Sequence, residues 1–216
     1  MSIYISIAIA SAFSSLLPAI SGAAVYRSVG KVVRSIFIYF ILFSCTEIVS
    51  LFLAREHENN LWLENIFIIA ELVFYAKIIG VWLESKNINR VINILLLLWI
   101  LTWVFTSAVL LKSIFVFNVY THCFESMILI SLAGMLLLKI SSEFAGNLFL
   151  DTRFWVCSAI LIFYSVNIVI FGLGKFILSV SFDNMGEVWV IHSVTNIFSN
   201  ILFSIGFLCN LKRDRS

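Results

Sequence analysis

Charge is what this chain has least of. Its 216 residues include 14 lysines and arginines and 12 aspartates and glutamates, 12% of the total, where an ordinary soluble domain carries roughly a quarter. Proline occurs once, at Pro18, and marks a kink or a tight contact in the first apolar run. The four cysteines, Cys45, Cys123, Cys157 and Cys209, show no paired spacing of the kind that builds zinc or redox motifs, and read as small buried hydrophobes. No basic, aromatic-interleaved surface stands out. The formal charge of +2 comes from loop residues, so topology and lipid headgroups account for it and nucleic acid is not expected as a partner.

What is present is hydrophobicity, at 62% of residues. A hydrocarbon core of about 30 Å takes about 20 apolar residues of helix to cross. Seven runs of that kind can be marked, at 2–26, 32–54, 61–83, 91–111, 116–138, 154–174 and 188–209. Charged or turn-rich breaks separate them, RSVGK, REHENN and ESKNINR among them; the break after the fourth run shrinks to Lys112 and Ser113. The longest breaks, KISSEFAGNLFLDTR and KFILSVSFDNMGEV, are too short for a packed domain. The expected fold is therefore all-α, a single bundle of seven transmembrane helices over residues 1–216, with the lipid bilayer as its first partner. The first run has no basic residue before it, so it is read as a retained helix and not as a secretory signal peptide.

Basic residues set the expected orientation. Arg27, Lys31, Arg34, Lys86, Arg90, Lys139, Arg153, Lys212, Arg213 and Arg215 fall at one end of the seven runs, against Arg55, Lys112 and Lys175 at the other. Basic loops stay in the cytoplasm, which puts the C-terminus inside and the N-terminus outside, in a plasma membrane.

Ionisable groups inside spans are costly and tend to face a bundle interior or a wet cavity. Here they fall between the midplane and the outer end: Glu47, Glu71, His122 and Glu125, then Asn167, His192 and Asn196 among the amides and imidazoles. Helical spacing groups them, because residues three or four apart share a face. His122, Glu125 and Ser126 form one stripe in THCFES; His192, Asn196 and Asn200 form another; Glu64, Glu71 and Tyr75 align on the third run. Lys77 points elsewhere and reads as a snorkelling lysine. The expectation is one outward polar pocket of Glu47, Glu71, Tyr75, His122, Glu125, Asn167, His192 and Asn196. The plainer reading gives the asparagines to interhelical hydrogen bonds, leaves His57 and Glu64 solvated at the rim, and assigns Trp62, Trp82, Trp155 and Trp189 to an aromatic belt.

Four functions fit such a bundle. A receiver would bind a small ligand, ion or proton in the pocket and, lacking an output domain, would act through a membrane or cytoplasmic partner. A structural subunit of a membrane complex needs no pocket. A transporter of three-one-three parallel repeats would pair Glu47 with Asn167, and Asn65 with Asn196 in matching NIF triplets. A metal-dependent lipid hydrolase would use His122, Glu125, Glu71 and His192 as zinc ligands. The seven-span hydrolases of the ceramidase and adiponectin-receptor type, however, carry His-x-x-x-His in the last helix, where this chain reads His192-Ser-Val-Thr-Asn196. A retinal protein would need a lysine in mid-helix, and Lys212 lies beyond the last run. The receiver is favoured, as a non-enzyme with no cofactor expected.

LLPAISG in the first run, NLWLENIFIIAE at the third, FES in the fifth and WVIHSVTNIFSNILFSIGF in the seventh resemble an uncharacterised family of bacterial seven-span inner-membrane proteins. The resemblance implies a seven-helix bundle in a bacterial plasma membrane. It implies no activity and carries over no site residue.

Overall fold

A computed structural model describes residues 3–143, 147–180 and 184–213. Among these there is helix and no strand. Helices α1 (Ile3–Ser14) and α2 (Leu16–Val25) share the first span; α3 (Lys31–Arg55), α4 (Leu61–Leu83) and α5 (Lys86–Phe105) follow, the last running into a π-helical turn at Thr106–Leu110. Then come α6 (Val119–Glu143), a 3-10 turn at Leu148–Leu150, α7 (Thr152–Val180) and α8 (Asn184–Arg213). Seven segments are long and apolar enough to cross a membrane: Ile3–Val25, Lys31–Arg55, Leu61–Leu83, Lys86–Leu110, Val119–Glu143, Thr152–Leu173 and Gly186–Cys209.

The spans close into a ring. The first packs on α3 and α8, α3 on α4, α4 on α5 and α6, α6 on α7, and α7 on α8. Because α4 and α6 meet directly, α5 lies against both from outside. Its Leu97, Leu98, Leu101, Val104 and Phe105 are exposed, as expected where the surrounding medium is apolar. Close approaches are made at Gly22, where a Cβ would come within 2.7 Å of the Phe37 ring, and at Gly206, where it would lie 3.1 Å from Trp155 Cβ. At Gly206 the Thr152 hydroxyl also donates to the backbone carbonyl at 2.9 Å. Gly172, by contrast, has open space around it.

Pro18 interrupts the first span one turn earlier, at Ser15. It brings no N–H for the Ser14 carbonyl, and serine hydroxyls crowd the turn before it. Ser14 and Ser15 donate back to the Ser11 and Ala12 carbonyls, each at 2.6 Å. Neighbouring helices bond to the same turn: Ser44 of α3 donates to the Ser15 carbonyl at 2.9 Å, and Asn200 of α8 to the Ser14 hydroxyl at 2.8 Å.

Span boundaries and cysteine burial differ in places from the sequence expectation. The fifth span begins at Val119 rather than 116, because Asn118 is the helix cap: its Oδ1 accepts from the Thr121 amide at 3.3 Å. The same side chain donates to Thr106 and Ser107 hydroxyls at 2.7 and 3.3 Å, so one buried amide joins the π turn ending α5 to the start of α6. Asn65 holds the intervening loop, donating to the carbonyls of Ile114 and Val116 at 2.8 Å each. The break KFILSVSFDNMGEV is helical through Val180 and again from Asn184; it contains no proline, and its apolar FILSV run extends α7. The remaining connection, 181–183, and Arg215 lie outside the described residues. Finally, Cys45 is exposed on the bundle surface and Cys123 half-buried, so only Cys157 and Cys209 are buried as expected.

At the end of the bundle away from the N-terminus, Lys139 of α6 donates to the Trp82 and Leu83 carbonyls at 3.3 and 3.0 Å and pairs with Glu84 at 3.3 Å. It caps α4, whose chain turns at Glu84 with a left-handed φ of 57°.

Asn118→Ala removes an N-cap and two interhelical hydrogen bonds together. It should lower the unfolding free energy by about 1–2 kcal/mol, read by steric trapping or reversible detergent unfolding; an unchanged unfolding curve would show that the cap carries no weight.

Candidate functional site

Polar side chains from six spans line one cavity of about 340 Å³ in the half of the bundle nearer the N-terminus. The fourth span, α5, contributes no described residue to it, and the first contributes through α1. Exposed Ala8, Ala54 and Trp189 mark the rim. Below it, Tyr39, Phe40, Phe74, Tyr75 and Phe203 pack ring to ring, with centroids 4.6 to 6.0 Å apart, and close the bundle.

The helical stripes explain how the wall is built. On α3, Phe43, Glu47, Ser50 and Ala54 recur every three or four residues and all line the cavity; on α4, Glu64 and Glu71 stand two turns apart. On α6, His122, Glu125 and Ser126 face it, on α7 Tyr164, Asn167 and Phe171, and on α8 His192 and Asn196. Seven of the eight residues nominated from sequence therefore lie on the same cavity. The eighth, Tyr75, lines a small recess beside it together with Glu71, Tyr164 and Asn196.

The hydrogen bonds divide these groups into anchored and unanchored ones. Glu71 accepts from Tyr39 at 2.9 Å. Glu64 accepts from Ser50 at 3.0 Å, and Asn60 donates to that same Ser50 hydroxyl at 2.7 Å. His192 Nδ1 lies 2.7 Å from Asn167 Oδ1, so in the neutral ring Nδ1 carries the hydrogen and Nε2 keeps its lone pair. Asn196 donates to Ser11 at 3.0 Å, tying α8 to α1. Against these, Glu125 Oε1, His122 Nε2, Tyr164 Oη and Asn167 Nδ2 are buried with no hydrogen-bond partner. Glu125 and Asn167 are each 1% exposed, Tyr164 3%. His122 Nδ1 stands 3.9 Å from Glu125 Oε2, too far for a hydrogen bond. Its ring instead stacks on Phe117, 4.5 Å between centroids and 11° between planes, and leans on Phe171 at 5.3 Å. Phe171 also reaches the His192 ring at 6.2 Å, so one phenylalanine of α7 stands between the histidines of α6 and α8.

Several residues take places that the sequence reading did not give them. Glu64 is half-buried on the cavity wall and not a solvated rim residue; its seven-residue spacing from Glu71 was the signal. Trp189, assigned to the aromatic belt, also stands on the rim with its ring 5.3 Å from His192, edge to face. Tyr39 was hidden inside the apolar run FIYFILF and is the partner of Glu71. His57 is exposed, in a turn with φ of 61°. Lys77 is exposed and donates to Asn93, away from Glu71. Asn65 and Asn196, which head the matching triplets, do different work: one holds a loop, the other joins two helices. The four residues nominated as zinc ligands share the cavity wall, but among the described residues no three His, Cys, Asp or Glu side chains stand close enough together to hold one ion.

Comparison with protein-family models, with curated proteins and with solved structures finds no match.

The His192 geometry depends on one partner. Nitrogen-15 spectra of histidine-labelled protein should show His192 protonated at Nδ1 when neutral. Asn167→Leu should release that preference and shift the ring toward the Nε2 tautomer; unchanged nitrogen shifts in the variant would rule out the Asn167 bond as its cause.

Proposed function

We propose that this chain is a multi-pass receiver that binds a small ligand in the cavity and passes the change to a membrane or cytoplasmic partner. The observation that carries this reading is the set of unpartnered polar atoms on the cavity wall. A buried polar group without a partner costs about 1–3 kcal/mol, and four such atoms on one cavity are a cost that bound water or a ligand would offset. Interhelical hydrogen bonding alone would account for Asn196 and Asn200, whose amides are satisfied by Ser11 and Ser14. It leaves Glu125 and Tyr164 unexplained. A volume of about 340 Å³ lies at the small end of ligand pockets, which run from about 300 to 1,000 Å³. At about 30 Å³ per water, it matches a ligand of roughly ten heavy atoms.

The basic residues support an orientation with the N-terminus and the cavity outside and the C-terminus inside, in a bacterial inner membrane. No loop among the described residues is long enough to form an output domain of its own, so the partner belongs to the proposal. Binding would be felt by the partner through the spans that line the cavity, since α3, α4, α6, α7 and α8 each bring a wall residue and also run to the opposite end.

Thermal stability in nanodiscs, screened against a panel of small cations, neutral molecules and anions, tests the binding step. Some compounds should raise the melting temperature of the wild type by several degrees. They should have little effect on Ala8→Trp or Ala54→Trp, which place an indole on the exposed rim without disturbing the core. A panel in which nothing stabilises the wild type, or in which both rim variants respond as the wild type does, would defeat the reading.

A further inference from the structure

Resting on the receiver reading, we infer that the cavity is built for a small organic cation, an ammonium group carried on an apolar or aromatic body. The first observation is the sign of the wall. Glu47, Glu64, Glu71 and Glu125 all line the cavity, and among the described side chains on its wall the other ionisable groups are Tyr164 and the two histidines, with no lysine or arginine. Two lysines carried by the lining helices α4 and α6 are engaged elsewhere, Lys77 with Asn93 on the outside and Lys139 with Glu84 at the far end.

The second observation is independent of charge. Glu125 Oε1 and Tyr164 Oη are buried on the wall with no partner, while the neighbouring Glu71 is held in place by Tyr39. An ammonium group offers three N–H donors and no acceptor, which is what two carboxyls and a hydroxyl oxygen lack. Aromatic rings complete the match. Phe43, Phe67, Phe163 and Phe171 line the same space, where the electron-rich faces of aromatic rings attract cations and would also cover an apolar ligand body.

Other ligands fit less well. A hard metal cation takes about six to eight oxygens at about 2.3–2.6 Å if it is calcium, or tight octahedral geometry if it is magnesium; among the described residues the carboxyls are spread along the wall, with no three close enough together to hold one ion. An anion would meet four carboxyls, with no basic side chain among the described ones on the wall to offset them. A proton needs no such volume.

Three probes of one shape isolate the charge: 2-phenylethylammonium, 2-phenylethanol and phenylacetate, titrated by calorimetry and thermal shift against the protein in nanodiscs. The ammonium should bind the wild type at least tenfold more tightly than the alcohol, and phenylacetate should not bind. Glu125→Gln, which preserves shape, should cut the ammonium preference to threefold or less and leave the alcohol unchanged. If that variant does not fold, Glu71→Gln carries the same test, since a glutamine can still accept the Tyr39 bond. Equal or tighter binding of the alcohol or the acid to the wild type overturns the inference, as does a full ammonium preference retained in the glutamine variant. If all three probes are silent while neutral or anionic panel compounds bind in a rim-sensitive way, the cation assignment falls and the receiver reading stands. Silence from the whole panel removes both.

Discussion

In a bilayer there is no water to satisfy a stranded polar group, so each one must find its partner inside the protein. This constraint arranges the bundle. Apolar residues can face outward at no cost, and Leu97, Leu101 and Phe105 do so. The polar minority has to turn inward, and once it does, the helices are tied by what it bonds to. The serines before Pro18 bond within the first span, and Ser44 and Asn200 reach them from two other helices. Asn118 joins the end of the fourth span to the start of the fifth. Lys139 takes up the carbonyl end of α4. Each of these groups has spent its hydrogen-bonding capacity on holding two segments together.

The cavity is where that rule is left incomplete. Glu64 and Glu71 have partners, Asn196 has one, and His192 has one on one side of its ring. Glu125, His122, Tyr164 and the Asn167 amide each retain an unmatched buried atom, and all four residues line the same space. A bundle that needed these groups only for packing could have used leucine or alanine, which would avoid the desolvation cost altogether. Polar groups that are fully buried, grouped and unmatched are the pattern expected of a site whose partner arrives from outside the chain.

Much of this was legible in the sequence because helices have a fixed period. Seven apolar runs of about the right length gave seven spans, and the three- and four-residue spacing in THCFES and IHSVTN put polar stripes on α6 and α8. What periodicity cannot reveal is which stripe bonds to which. Glu64 was in register with Glu71, yet its place near a span end favoured a solvated reading; only the fold of α3 against α4 sets Ser50 beside it. Tyr39 was lost because tyrosine is counted with the hydrophobes in an aromatic run, and its hydroxyl matters only once α4 is alongside. The start of α6 depended on the side chain of Asn118 reaching Thr106 and Ser107, a contact across a turn whose shape the sequence does not announce. Helix α7 ran past its expected end at 174 because a single lysine, Lys175, does not break a helix and the FILSV run after it contains no proline.

The histidines show how such a cavity could report occupancy without any long-range motion of the backbone. His122 is held by stacking on Phe117 and has no hydrogen bond at Nε2, so its ring is fixed in plane but uncommitted in chemistry. His192 is committed at Nδ1 through Asn167, which leaves the lone pair on the opposite nitrogen. Phe171 touches both rings. A ligand that moved Phe171 to make room for itself would have to re-seat both imidazoles, and with them α6 and α8, the two helices that flank α7. Coupling of this kind needs only a packed residue with two neighbours that cannot both keep their places, because close-packed interiors respond to insertion by switching arrangement more readily than by stretching.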